Sequence, residues 1–358
     1  MRSLFLLALV LLFAGCHSSE TPASTSSVAD TAPTQDQLAT EAMITNAGGR
    51  IETDEAGGIT LVDFAGKPID ANLMKRIGTL PRLQKLLLRG CPLTDDMFAK
   101  LGTPASVQVL DLRETSVSGA SLQQIGKFPA LKNLQFRGNA ISDNQLIYLA
   151  GLSNLKVLGL DETAVEGMTL EQLKGLKQLE ELFLFGTPFR EASLPGLAHL
   201  PKLKKIRLRR TMINGHGLEK LDELTALEDL DVSETDFDDQ AVEHLAAFKN
   251  LKRLNLWATK ISNDAVPKVA EMTSLEWLNL DRNAIGDVHI GELTNLENLT
   301  WLHLGSTSLS DEGLMQLAPM THLKNLIVTR TAVTDEGAAK VAAKMPETEL
   351  QHIYIPEN

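Results

Sequence analysis

Cysteine is nearly absent: the 358 residues hold two, Cys16 and Cys91. Two cysteines cannot build a disulfide framework, and a metal centre made of cysteine thiolates is excluded. Aromatic side chains make up only 4% of the chain, with three tryptophans, so any cluster of them carries information. Positive charge is in deficit. Lys and Arg number 34 against 46 Asp and Glu, a formal net charge of -12, which argues against nucleic acid as a partner because that needs many cations facing phosphates. The longest apolar run, Leu4 to Phe13, is about half the length a membrane-spanning helix requires. Motifs of chemistry are missing too. There is no His-Glu-x-x-His helix and no Gly-x-Ser-x-Gly elbow, and Gly215-His216-Gly217-Leu218 lacks the spacing of a phosphate loop. The sequence therefore predicts no cofactor, no metal, no catalytic residue and no enzyme.

What is present begins with the short apolar run behind Arg2, which has the length of a signal-peptide core. It ends in Phe13-Ala14-Gly15-Cys16. This resembles a bacterial lipobox. The resemblance implies that residues 1–15 are a signal peptide and that Cys16 carries a lipid. It also implies a cell-envelope location, anchored to the membrane by acyl chains and leaning to the outer membrane because His17 follows the cysteine. Residues 16–35 are rich in Ser, Thr, Ala and Pro and read as a flexible tether. Residues 36–82 read as an N-terminal cap: a helix carrying Leu38, Ala42 and Met43, ended by Gly48-Gly49, then a hairpin and a degenerate first repeat at Ile59.

From residue 83 to 346 the sequence repeats. Units begin at Leu83, Val107, Leu131, Leu155, Leu179, Leu203, Leu227, Leu251, Leu275, Leu299 and Leu323, every step 24 residues. The unit at Leu155 is typical. Leu155, Leu158 and Leu160 alternate as a strand with one buried face should, and Met168, Leu170, Leu173 and Leu176 then point to a short helix. Ser310-Asp311-Glu312 and Thr334-Asp335-Glu336 put capping side chains at helix starts. Acidic pairs such as Asp95-Asp96 and Asp238-Asp239 sit at equivalent places, where a helix's positive end favours them. Residues 347–358, with Leu350, Ile353 and Ile355, read as a strand that closes the other end.

The pattern L-x-x-L-x-L-x-x-N/C-x-L resembles the leucine-rich-repeat family. The resemblance implies an α/β solenoid, a horseshoe with a concave parallel sheet and convex helices, capped at both ends. The ninth position departs from the family's usual Asn: it is Thr at 115, 163, 187, 211, 235, 259, 307 and 331, Asn at 139 and 283, and Cys at 91. A polar group buried there must bond the backbone, and Cys91 becomes a small ladder residue rather than a reactive thiol.

Function is then sought in columns across the sheet, where positions three, five and seven face the groove. Column seven carries Arg89, Arg113 and Arg137, with Asp111, Glu114, Asp161 and Glu162 near enough to balance them. Units five and six place Phe183 and Phe185 beside Arg207 and Arg209, with Asp231 following and Glu234 beside Arg210. All three tryptophans, Trp257, Trp277 and Trp301, fall in outward columns of units eight to ten, next to Asn255, Asn279, His303 and Asp281. Aromatic faces among amides suit a peptide or a sugar. The expected role is a monomeric envelope recognition protein that binds a protein or polysaccharide through this face. The alternative is a structural spacer or scaffold without a single ligand.

Overall fold

The computed structural model describes residues 34–221 and 223–353. The signal peptide, the proposed lipid site at Cys16 and Ile355 lie outside them. Helix α1 (Gln35–Asn46) starts at Thr34, whose hydroxyl accepts the Gln37 N–H. Strands β1 (Arg50–Thr53) and β2 (Ile59–Asp63) form the antiparallel hairpin expected of the cap. From β2 onward every neighbour is parallel, giving one open sheet of 14 strands in chain order.

Each unit contributes a three-residue strand at positions three to five, and equivalent positions pair directly, as Trp277 does with Trp301. The N–H groups of positions six and eight donate to carbonyls of the next unit, Leu256 to Asn279 and Ala258 to Asp281, both at 2.9 Å. The leucines at positions one, four and six are sealed, 0% exposed at Leu155, Leu158 and Leu160. They form one continuous core with the apolar side of the helical layer.

The ninth-position threonines all donate to the carbonyl three residues back in their own unit, as Thr211 does to Leu208 at 2.6 Å. The two asparagines also reach the preceding unit: Asn139 donates to Val117, and Asn283 donates to Leu256 as well as to Leu280 in its own unit. Cys91 is buried, donates to the Phe64 carbonyl at 3.3 Å, and its thiol is pushed up to about 11 by burial.

Position eight closes each strand in the left-handed region. Gly90, Gly138 and Gly186 sit there with φ of 68°, 75° and 67°, but so do Glu114, Glu162, Arg210, Glu234 and Ala258 with φ of 52° to 57°. A non-glycine residue in this conformation costs about 1 kcal/mol.

On the convex side a carboxylate at the helix start holds the next unit by accepting a backbone N–H. Asp95 takes that of Ser118, Asp143 that of Glu166, Glu191 that of Asn214, Asp239 that of Ser262 and Asp287 that of Ser310, at 2.7–2.9 Å. These acids stand 48 residues apart, in every second unit. The intervening positions hold Gly119, Gly167 and Gly215, and then Asn263 and Asp311, which accept the N–H groups of Gly286 and Thr334 at 2.8 Å.

Four expectations need correction. On α1, Leu38 and Ala42 face solvent, while Thr40 and Ile44 are buried, because the hairpin covers the other side of the helix. The convex segments of units four, five and six are 3-10 helices, Leu170–Gly175, Glu191–His199 and His216–Leu221. Apolar residues three apart suit that tighter turn. Met168 lies before the first of them, 63% exposed, outside the core. At the far end the last described strand is Glu349–Gln351, with Leu350 half-buried but Ile353 exposed beyond it.

Candidate functional site: the concave face

Positions three, five and seven of the strands build the groove floor. The three arginines of column seven are compensated. Arg89 pairs with Glu114 and Arg137 with Glu162, each across one unit and each through two hydrogen bonds, while Arg113 pairs with Asp111 within its own unit.

Phe183 and Phe185 are half-buried rather than open, because guanidinium groups cover them. Arg207 lies over Phe183, 5.5 Å from the ring centre. Arg209, Arg210 and Arg137 lie over Phe185 at 5.3, 5.7 and 5.8 Å. Each such contact contributes about 0.5–1 kcal/mol at an exposed site. The carboxylate pairing departs from expectation. Glu234 bonds Arg209 at 2.6 Å rather than Arg210, which is drawn back over Phe185. Asp231 accepts from the backbone N–H and hydroxyl of Ser233 and does not pair with Arg207. A depression of about 330 Å³ lies among Arg137, Asp161, Phe185, Arg207, Arg209 and Asp231. Burial pushes the Asp161 carboxyl up against the pull of the Phe185 N–H and of Arg137 and Arg207.

Trp277 and Trp301 stack with ring centres 4.3 Å apart and planes within 8°. Arg253 covers Trp277 at 4.5 Å, from the preceding unit of the same column. Trp301 meets His303 edge to face at 5.7 Å. Asn255 and Asn279 stand in the predicted row with His303. Their amide oxygens, however, are already used, accepting the N–H two residues on, at Trp257 and Asp281. What Asn279 presents to a ligand is its NH₂ group, while that of Asn255 donates to the Ser233 hydroxyl at 3.4 Å.

The structure joins two clusters that the sequence reading kept apart. Arg209 lies 5.3 Å from the Phe185 ring and 4.7 Å from the Trp257 ring, with Arg282 a further 5.6 Å from Trp257. The residue between Arg209 and Trp257 in column seven is Ser233, which is fully buried and too small to separate them. That small residue in a column of large ones was the available signal. Arg253, Arg282 and Ser233 join the site on this geometry. Among the described residues, no cluster of His, Cys, Asp or Glu is arranged to hold a metal ion, and no helix is long and apolar enough to cross a membrane.

Comparison with known proteins follows the same lines. Two leucine-rich-repeat family models match, over residues 249–309 and 320–342. No curated protein matches the chain. Among solved structures, an internalin (inlF) from Listeria monocytogenes superposes with a TM-score of 0.65 at 19% identity, covering 93% of this chain and 100% of that one. The functional domain of InlJ from the same organism, which includes a cysteine ladder, gives 0.57 at 15% identity, covering 89% and 68%. A TDR receptor gives 0.57 at 19% identity, covering 78% of this chain and 52% of that one. At these identities the likeness is one of fold. The 24-residue period, the open parallel sheet and these two matches make the fold a leucine-rich-repeat solenoid.

Proposed function

We propose that the chain is a recognition protein that binds a protein partner in its concave groove, chiefly at units eight to ten, and that a lipid on Cys16 holds it at a bacterial cell envelope. The observation that carries the first part is the unbroken band from Phe185 through Arg209 to Trp257, with the Arg253–Trp277–Trp301 stack on the neighbouring column. Large aromatic and arginine side chains are the usual anchors of protein interfaces. A sugar would need an open indole face to lie on. Trp277 has one face on Trp301 and a guanidinium on the other side, so it offers only its edge, which suits a protein surface better. One of the similar folds belongs to a receptor, in keeping with a binding role.

The test passes solubilised cell envelope over the immobilised full-length chain and over its Trp277→Ala/Trp301→Ala double variant. A partner held by the wild type and at least about tenfold less by the folded variant is expected. Equal retention would place the site elsewhere. A wild type that holds nothing would favour the spacer.

A further inference from the structure

The depression of about 330 Å³ in the groove floor is walled by Arg137, Arg207 and Arg209 together with Asp161, Phe185 and Asp231. It spans units three to seven, ahead of the tryptophans. Cavities of this size hold small ligands, and one side chain of a partner fits. The hollow exists because its two acids are short and tied down to the backbone. Asp161 accepts the Phe185 N–H at 2.8 Å, and Asp231 accepts the N–H and hydroxyl of Ser233 at 3.0 and 2.6 Å. Both are half-buried, whereas Arg207 is exposed. A partner entering the groove therefore meets guanidinium before it meets carboxylate.

The three arginines of the wall are not equally engaged. Arg137 holds Glu162 through two hydrogen bonds, and Arg209 holds Glu234. The Arg207 guanidinium makes neither ion pair nor hydrogen bond among the described residues, and its printed side-chain contact is the Phe183 ring, 5.5 Å away. The acids around it are taken. Asp229 in the next column is shared between Lys205 and Arg253 at 3.3 and 3.7 Å. Asp161 feels the charge of Arg207 without reaching it, and Asp231, its direct neighbour across the sheet, is turned to Ser233. Five donors in a planar fork are thus left facing a hollow.

We propose that this depression receives an acidic side chain of the protein partner, a glutamate or aspartate whose two oxygens accept from the fork of Arg207. Carboxylate and guanidinium match in shape as well as charge, through two parallel hydrogen bonds. The half-buried Phe185 ring keeps water from part of the site, which strengthens such a pair relative to one in open solvent. The charge of the wall selects a carboxylate over a phosphate. A monoanion answers the one disengaged guanidinium, whereas a phosphate brings about two charges against walls that already hold Asp161 and Asp231. The inference rests on the groove being the binding face, and adds a charged contact several units from the tryptophans.

The probes are the peptide acetyl-Gly-Gly-Glu-Gly-Gly-amide and its glutamine and phosphoserine counterparts, titrated into the full-length chain while the Arg207 Nε–H and Phe185 ring resonances are followed. Saturable shifts with the glutamate peptide are expected, at least about tenfold weaker with glutamine and weakened by added salt. Arg207→Gln should abolish them. Arg207→Lys should keep part of the affinity, since it keeps the charge and loses the fork. Arg50→Gln, on the cap hairpin, should leave them unchanged. Arg207 is exposed, so its variants are expected to fold, and circular dichroism melts confirm that they do. Equal binding of the glutamate and glutamine peptides, tighter binding of the phosphoserine peptide, or no shift with any of them overturns the proposal. If the glutamate peptide fails while the tryptophan double variant still loses the captured partner, the acidic contact is wrong and the groove reading stands. If the glutamate peptide binds through Arg207 while the double variant keeps its partner, the groove reading fails at units nine and ten and the acidic contact survives.

Discussion

The indole of Trp277 lies flat between the guanidinium of Arg253 and the indole of Trp301. Three flat groups from three successive units are thus stacked at the spacing of the sheet, about 4.8 Å. Such a stack is a lateral fastening as well as a surface. Trp277→Ala should therefore lower stability, by about 0.5–1.5 kcal/mol beyond its lost burial. A double-mutant cycle with Trp301→Ala measured in denaturant checks this. A coupling near zero would show that the rings touch without contributing.

Inward and outward neighbours should differ sharply in unit six. Leu208 is 0% exposed, so Leu208→Ala should cost about 2–5 kcal/mol. Arg209 is 38% exposed on its side chain and holds Glu234 and two aromatic rings. Arg209→Ala should cost far less, about 1 kcal/mol. Equal losses in urea melts would mean the columns are misassigned.

Acid should loosen the convex joins. Burial raises the Asp95 carboxyl, but bonds from Ser118 and Ser121 outweigh it and hold it below its ordinary 3.8. Asp311 is held low chiefly by the Thr334 hydroxyl and N–H. A carboxylate whose pKa is depressed by folding stabilises fully above its unfolded value and stops doing so as pH falls through the folded one. Melting temperature should therefore be flat near pH 6 and drop below about pH 4. In Ser118→Ala/Ser121→Ala the drop should be smaller, as thermal melts across that range would reveal.

The left-handed position eight offers a stabilising change. Ala258 has φ of 53°. Ala258→Gly should raise stability by about 0.5–1 kcal/mol, the relief of the backbone exceeding the entropy that glycine adds to the unfolded chain. Ala258→Val should lower it. A reversed order of the two in denaturant would mean that the neighbouring Trp257 side chain, rather than the backbone, governs the site.

The anchor can be tested in the producing cell. Labelled fatty acid should enter the wild-type chain and leave Cys16→Ser unlabelled and free of the membrane fraction. A wild type that takes up no label would remove the lipid from the account.

The period, the buried leucines and the row assignments were legible because a strand's side chains alternate strictly and one unit sits squarely on the next. The pairing of Trp277 with Trp301 follows from that register alone. Arg209 reaching Trp257 across Ser233 did not, because a long side chain's direction is set by what its neighbours leave open. Nor was the fate of Asn255 and Asn279 visible: a short amide prefers the N–H two residues on, and columns show faces, not donors. The positive φ at Glu114 or Arg210 was hidden because only three of the eleven units, at Gly90, Gly138 and Gly186, mark that place with glycine.

The acids at 95, 143, 191 and 239, with glycine at the three places between them, imply that over the first six units the mechanical element is a pair of units, whereas from Asp239 onward Asn263, Asp287 and Asp311 hold every join. A tether fixed at one end and a partner gripped along the groove would put the solenoid under tension. Joins carrying a carboxylate on the next unit's backbone resist peeling better than those between them. Pulled from its ends, the first six units should then yield in steps of about 160 Å of extended chain, the length of 48 residues, rather than in steps half as long.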